Sequence, residues 1–172
     1  MKEWIPIPGS NKEKILTTAL EEFSSKGFAQ TNITELAQKA DVTTGAIYHH
    51  FGSKAQLYEI IKEEMEKRIL DRMEGVTDLF EDPHEKLNAA LKTGLDFVVK
   101  KEIGKLFIET ENESRKNQIF PFLQSICTSM ENKGVEIILY SSWIAIIKSI
   151  TEETMTLSEG KNLIQWMLRE NG

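Results

Sequence analysis

The sequence predicts an all-α protein of about nine helices, with a three-helix head at the amino-terminal end and a larger helical region behind it. Three observations support this. Helix-start patterns recur along the 172 residues, apolar residues repeat at helical spacing, and alternating strand-like runs are scarce. With 40% apolar and 28% charged residues, the chain is too apolar for disorder. At this length folding buries roughly 70% of the surface the unfolded chain exposes, so neither a disulfide nor a structural metal is required. The single cysteine, Cys127, has no internal partner in any case.

Ser10-Asn-Lys-Glu13 opens the first helix as a capping box. Ile15, Leu16, Ala19, Leu20 and Phe23 then share one face up to a stop at Gly27. Asn32-Ile-Thr-Glu35 repeats the cap logic for a short amphipathic helix carrying Ile33, Leu36, Ala37 and Ala40. A three-residue turn, Asp41-Val-Thr43, leads into a third helix from Thr44 to His50, and Ser53-Lys-Ala-Gln56 caps a long fourth helix through Leu57, Ile61, Met65, Ile69 and Met73.

Asp82-Pro-His-Glu85 places a capping carboxylate, a first-turn proline and an acidic third residue before a helix over 83–101. Further helices are expected from Ile103 to about Glu113, from Pro121 to Asn132, from Val135 to Glu153, and from Leu157 to Glu170 behind the Thr156-Leu-Ser-Glu159 box.

The net charge of -6 is unevenly distributed. Residues 1–54 carry six lysines, no arginine and six acids, whereas residues 55–172 carry 15 basic and 21 acidic side chains. This asymmetry points to two regions with different partners, a head over 1–54 and a second domain over 55–172. No secretory leader or membrane-spanning apolar run is read, so the expected location is cytoplasmic, without a membrane partner.

Two short helices joined by a three-residue turn, with Leu36, Ala37, Val42, Ile47 and Phe51 facing inward, fit a helix-turn-helix whose second helix enters the major groove of DNA. That helix leaves Thr43, Thr44, Gly45, Ala46, Tyr48 and His49 outward. Hydroxyls, small residues and a phenol suit phosphates, base edges and thymine methyls. Tyr48 alternatively packs beside Ile47 and Phe51, and His50 is expected to pack within the head. A helix-turn-helix shape also serves protein-binding adaptors, which is the alternative reading.

The run from Ile33 to Leu57, with Ala40, Val42, Thr43, Gly45, Ile47, Tyr48, Phe51 and Lys54 in one register, resembles the signature of tetracycline-repressor (TetR) family transcriptional regulators. Together with helix 1 and Gly27-Phe28, the resemblance covers roughly residues 10–58. It implies a homodimer whose paired recognition helices read a palindromic operator in double-stranded DNA. It also implies a repressor released when a small-molecule effector binds the second domain, with the long helix from Lys54 linking sensor to head. Residue by residue, Thr43, Thr44, Gly45 and Ala46 would face bases, while Tyr48, His49, Lys54, Asn32 and Thr34 would hold phosphates. Two departures stand out. Asp41 replaces the usual turn glycine, and no arginine precedes Arg68, so DNA binding is expected to lean on Lys12, Lys14, Lys39 and Lys54.

Val135, Ile138, Leu139, Tyr140, Trp143, Ile144, Ile146, Ile147 and Ile150 cover more than one stripe of their helix, and Leu163, Ile164, Trp166, Met167 and Leu168 spread over a similar arc. Packing both helices against their copies would bury the surplus, which makes Ile138, Leu139, Trp143, Ile146, Ile164, Trp166 and Met167 the candidate dimer interface. The alternative is a thick monomer core. Candidate effector-lining residues are Phe97, Phe107, Phe122, Met130 and Trp143, with Phe120 and Met155 beside them. Glu109, Glu111 and Glu113 are read as solvated.

Neither a metal nor a cofactor is expected. His49 and His50 are neighbours about 100° apart on a helix, His84-Glu85 lacks a second histidine at Asn88, and Cys127 has no histidine nearby in sequence. No residue set supports an enzyme.

Overall fold

The computed structural model describes residues 7–109, 118–130 and 133–169. Among the described residues there are nine helices and no strand. They are α1 (Asn11–Gln30), α2 (Ile33–Lys39), α3 (Thr44–Phe51), α4 (Lys54–Thr77), α5 (Pro83–Lys100), α6 (Lys105–Ile108), α7 (Ile119–Cys127), α8 (Val135–Thr151) and α9 (Leu157–Met167). No described helix is long and apolar enough to cross a membrane. The chain divides into two compact units, Met1–Met65 and Glu66–Gly172. The division falls inside α4 because the first turns of that helix bury Leu57, Tyr58 and Ile61, and Tyr58 stands edge-on to Phe23 and Phe28.

In the first unit, the Ser10 hydroxyl accepts the Glu13 N–H at 3.2 Å. The Glu13 carboxylate reaches back one residue farther than a capping box requires, to the Gly9 N–H. Helix α1 breaks at Gly27 (φ 81°, ψ 175°), as its glycine predicts, and one further turn follows. The buried Thr31 hydroxyl secures that turn by donating to the Gly27 carbonyl at 2.7 Å. Ile15, Leu16, Ala19, Phe23, Leu36, Ile47 and Phe51 form the core of the three helices.

Helices α2, α5 and α8 end alike. Past each C-terminus an acidic residue takes a left-handed backbone: Asp41 (φ 53°), Glu102 (φ 55°) and Glu153 (φ 57°). In each case two N–H groups return to the final turn: Asp41 to Gln38 and Val42 to Ala37, Glu102 to Val99 and Ile103 to Val98, Glu153 to Ile150 and Thr154 to Ser149. This is the Schellman pattern that glycine ordinarily completes.

The second unit is built on α5, which packs against α7, α8 and α9, while α8 also meets α6 and α9. Its centre is Trp143, fully enclosed, with the indole N–H donating to the Leu91 carbonyl at 3.0 Å. Gly160 of α9 lets three helices close up, since a Cβ there would lie 2.9 Å from Ile146 and 3.3 Å from Leu95. The expected helix from Ile103 is shorter than read, at Lys105–Ile108. Ile103 is consumed by the α5 Schellman turn and buried there. Helix α7 begins at Ile119, ahead of Pro121, a ring the first turn of a helix accommodates. The expected helical residues 110–113, 131–132 and Glu170 lie outside the described residues.

Candidate nucleic-acid interface

Two local devices position the helix-turn-helix. At the start of α2, the Asn32 side chain accepts the N–H groups of Thr34 (2.7 Å) and Glu35 (3.4 Å). At the start of α3, Thr43 Oγ1 accepts the Ala46 N–H at 3.1 Å. The turn holds because Asp41 adopts the left-handed conformation the sequence requires there, and its carboxylate pairs with Lys14 at 3.6 Å.

Helix α3 commits only Ile47 and Phe51 to the core. Thr43, Gly45, Tyr48 and His49 are exposed, and Thr44 and Ala46 are half-buried. Tyr48 is 50% exposed, so it does not fill the Ile47–Phe51 core. His50, expected to pack within the head, is exposed as well, with its ring near those of His49 and Phe51. Gly45 is informative by what it lacks. Its φ is not positive, and a Cβ would meet nothing nearer than the Thr43 hydroxyl at 3.7 Å. The fold therefore does not require glycine at this position.

The lysines of the head are less available than the sequence suggests. Glu22, buried to 4% exposure, pairs with Lys26 at 2.8 Å and with Lys39, and Lys26 also reaches Glu35 at 2.9 Å. The two lysine hydrogen bonds hold the Glu22 carboxyl below its ordinary range, against a smaller opposing effect of burial. Lys54 lies 4.4 Å over the Phe28 ring and 3.5 Å from the Ala29 carbonyl, bracing α4 against the end of α1. Thr34 is exposed beside the Asn32 cap.

Residues 15–61 match the model of bacterial regulatory proteins of the tetR family. The head of the chain is thus similar to that family. It is 32% identical over 90 residues to the probable acrEF/envCD operon repressor of Escherichia coli K12, covering 52% of this chain and 41% of that protein. The match thus spans less than half the length of that curated relative. Among solved structures, the fatty acid degradation regulator FadR of Bacillus halodurans superposes with TM-score 0.77 at 15% identity, covering 95% of this chain and 96% of that one. AibR, solved with isovaleryl coenzyme A and operator DNA, superposes with TM-score 0.70 at 16% identity over 92% of this chain and 97% of that one. At these identities the likeness shows a shared fold alone, over most of the chain.

In the second unit the expected residues separate into two groups. Ile138 (64% exposed) and Trp166 (67%) are open, and Met167 is half-buried. Leu139, Trp143, Ile146 and Ile164 are at most 4% exposed within this one chain, so their side chains are already spent in its own core. Most of the apolar arc of α8 is covered by α5, α6, α7 and α9, which leaves Ile138 outside. Ile137 (57% exposed) and Leu163 (36%) are open as well; Leu163 belongs to the arc read from the sequence, and Ile137 does not. Of the candidate effector-lining residues, Phe97 and Phe107 are buried, Trp143 is enclosed, and Phe122 and Met130 are half-buried. Phe107 stands edge-on to Trp143 at 6.5 Å, and Phe97 lies under the Arg72 guanidinium at 4.2 Å. None of the five lines the groove of about 270 Å³ bounded by Glu81, Pro83, Lys86, Ser125, Ile126 and Ser129.

No cluster of three or more histidine, cysteine or acidic side chains able to hold a metal occurs among the described residues. Burial pushes the Cys127 thiol up to about 11, which keeps it a thiol and a poor nucleophile at neutral pH.

Proposed function

We propose that this chain is a TetR-family, ligand-responsive DNA-binding transcriptional regulator: a homodimeric repressor released from a palindromic operator by a small-molecule effector. The observation that carries the reading is the outward face of α3 from Thr43 to His49. The fold uses little of it, and it includes a glycine that no internal contact explains. On this reading Thr44, Gly45 and Ala46 approach base edges, Tyr48 and His49 meet phosphates, and the exposed Thr34 flanks them. Thr43 and Asn32 act chiefly as caps that set the pose of the helices, and Lys54 as a brace.

The second unit is assigned the effector and dimer roles. Ile137, Ile138, Leu163 and Trp166 supply exposed apolar area on two helices that pack side by side, the arrangement an isologous four-helix interface uses. Two-fold pairing is what a palindromic operator demands. AibR carries a coenzyme A thioester and operator DNA on the same fold, which supports a sensor and a reader in one chain.

Titration of genomic fragments at two salt concentrations tests the reading. Sequence-selective binding with a steep salt dependence is expected, weakened by Tyr48→Phe without loss of the folded state. Salt-insensitive or absent binding would favour the protein-binding adaptor.

A further inference from the structure

Resting on the DNA-binding reading, we infer that Glu22 is a positioning residue for sequence recognition. Through Lys26 and Lys39 it fixes helix α2, and with it the reading helix α3. Losing the carboxylate then lowers discrimination between sequences while raising attraction to duplex DNA in general. Glu22 is 4% exposed, so it offers a duplex almost nothing to touch. A carboxylate in such a place is rare unless it is paired, and this one is paired twice.

Helix α2 has seven residues and commits only Leu36 and Ala37 to the core, with Ala40 buried just past its end. Apolar burial is non-directional, so these contacts resist separation better than they resist small rotations. Directional restraint comes from two ties to α1. In the first turn of α2, Glu35 takes Lys26 at 2.9 Å; in the last turn, Lys39 donates to Glu22. Lys26 also meets Glu22 at 2.8 Å, so both ties converge on one carboxylate. Of these four side chains Glu22 alone is buried, where its bonds are screened less by salt and water. Its main-chain carbonyl accepts the Thr31 hydroxyl at 3.3 Å, one residue ahead of the Asn32 cap. Residue 22 therefore bears on both ends of α2.

Helix α3 inherits the pose of α2. The Asp41 N–H returns to the Gln38 carbonyl at 3.2 Å and the Val42 N–H to the Ala37 carbonyl at 3.0 Å, and Thr43 already caps α3. A turn this short passes a rocking of α2 on to α3. Hydrogen bonds to base edges are sensitive to distance and angle, whereas attraction to phosphates acts over a longer range and tolerates displacement. A loosened α2 thus costs sequence reading first. Removing the carboxylate also leaves Lys26 and Lys39 less neutralised, which strengthens the general attraction. A folding defect would weaken both kinds of binding together.

The test measures the full chain on two probes: a genomic fragment that the wild-type chain binds selectively, and a mixed-sequence duplex of the same length. All titrations are run well below the melting temperature of each variant, with circular dichroism to verify helicity. Glu22→Gln is expected to bind the mixed duplex roughly two- to threefold more tightly, while the ratio of the two affinities falls about tenfold. Glu21→Gln removes the same charge from an exposed neighbouring position and should give the gain without the loss of ratio. Lys39→Gln cuts the same tie from the α2 side at an exposed position. It should lower the ratio too, and the double variant should lower it no further than the stronger single one, the mark of a shared interaction. An unchanged ratio in Glu22→Gln, or equal falls in Glu22→Gln and Glu21→Gln, would overturn this inference and leave the DNA-binding reading intact. Should Glu22→Gln not fold, a retained ratio in Lys39→Gln overturns it equally. No selective binding by the wild-type chain overturns both.

Discussion

On the DNA-binding reading, Gly45 is where one missing side chain separates folding from recognition. Glycine inside a helix costs about 1 kcal/mol relative to alanine, and no internal neighbour explains its presence here. Gly45→Ala is therefore expected to leave the melting temperature unchanged or slightly raised, and to weaken operator binding about tenfold or more by holding the backbone off the groove. Paired thermal melts and DNA titrations would check this; a variant that binds normally would return Gly45 to the status of an ordinary surface residue. Spacing was enough to read Thr43, Gly45, Tyr48 and His49 as outward, because Ile47 and Phe51 fix the inner face of a short helix, but not to read His50, which is exposed as well. The fate of the lysines was not legible. Glu22 and Lys26, at i and i+4, were a readable pair, but the bond from Glu22 to Lys39 joins residues 17 apart and depends on how α1 crosses α2.

Two element-scale devices lend themselves to measurement. The Glu22 hub ties α1 to α2, and its folded-state pKa is depressed, so its contribution is present above the ordinary carboxylate range and fades as pH falls through the lowered value. Glu22→Gln should cost roughly 1–3 kcal/mol at neutral pH, with the gap to wild type closing in acid. Denaturant melts across pH would show it, and a constant gap would contradict the assignment. The Schellman turns give the opposite sign. A left-handed conformation strains a residue that carries a Cβ, so Glu153→Gly should stabilise the chain by up to about 1 kcal/mol, readable as a higher denaturation midpoint. Helix starts were legible because Ser10, Asn32, Asp82 and Thr156 each accept an N–H of the first turn. Helix ends were less so. Acids occupy the left-handed positions of α5 and α8, where a reader looks for glycine, and the start of α6 has no side-chain cap to announce it.

For the whole molecule, the all-helical class, the head and the TetR-family resemblance followed from periodicity and one contiguous motif. What sequence could not divide was the apolar surplus of α8 and α9, because a wide arc does not say how much of it neighbours in the same chain will cover. The fold gives Leu139, Trp143, Ile146 and Ile164 to the interior and leaves Ile137, Ile138, Leu163 and Trp166 outside. On the dimer reading, Trp166→Glu should convert a two-chain species into monomers in sedimentation or light scattering and abolish operator binding, since two half-sites need two heads. A variant that remains a dimer would move the interface elsewhere. The contrast between Trp143, sealed against Leu91, and Trp166, 67% exposed, also gives the protein a built-in optical reporter. In a Trp4→Phe background, which removes the third tryptophan, iodide should quench the indole of Trp166 and spare that of Trp143, and mating of two chains through α9 should shield the former and shift its emission to the blue. Assembly can then be followed without a dye, at concentrations too low to weigh particles by scattered light.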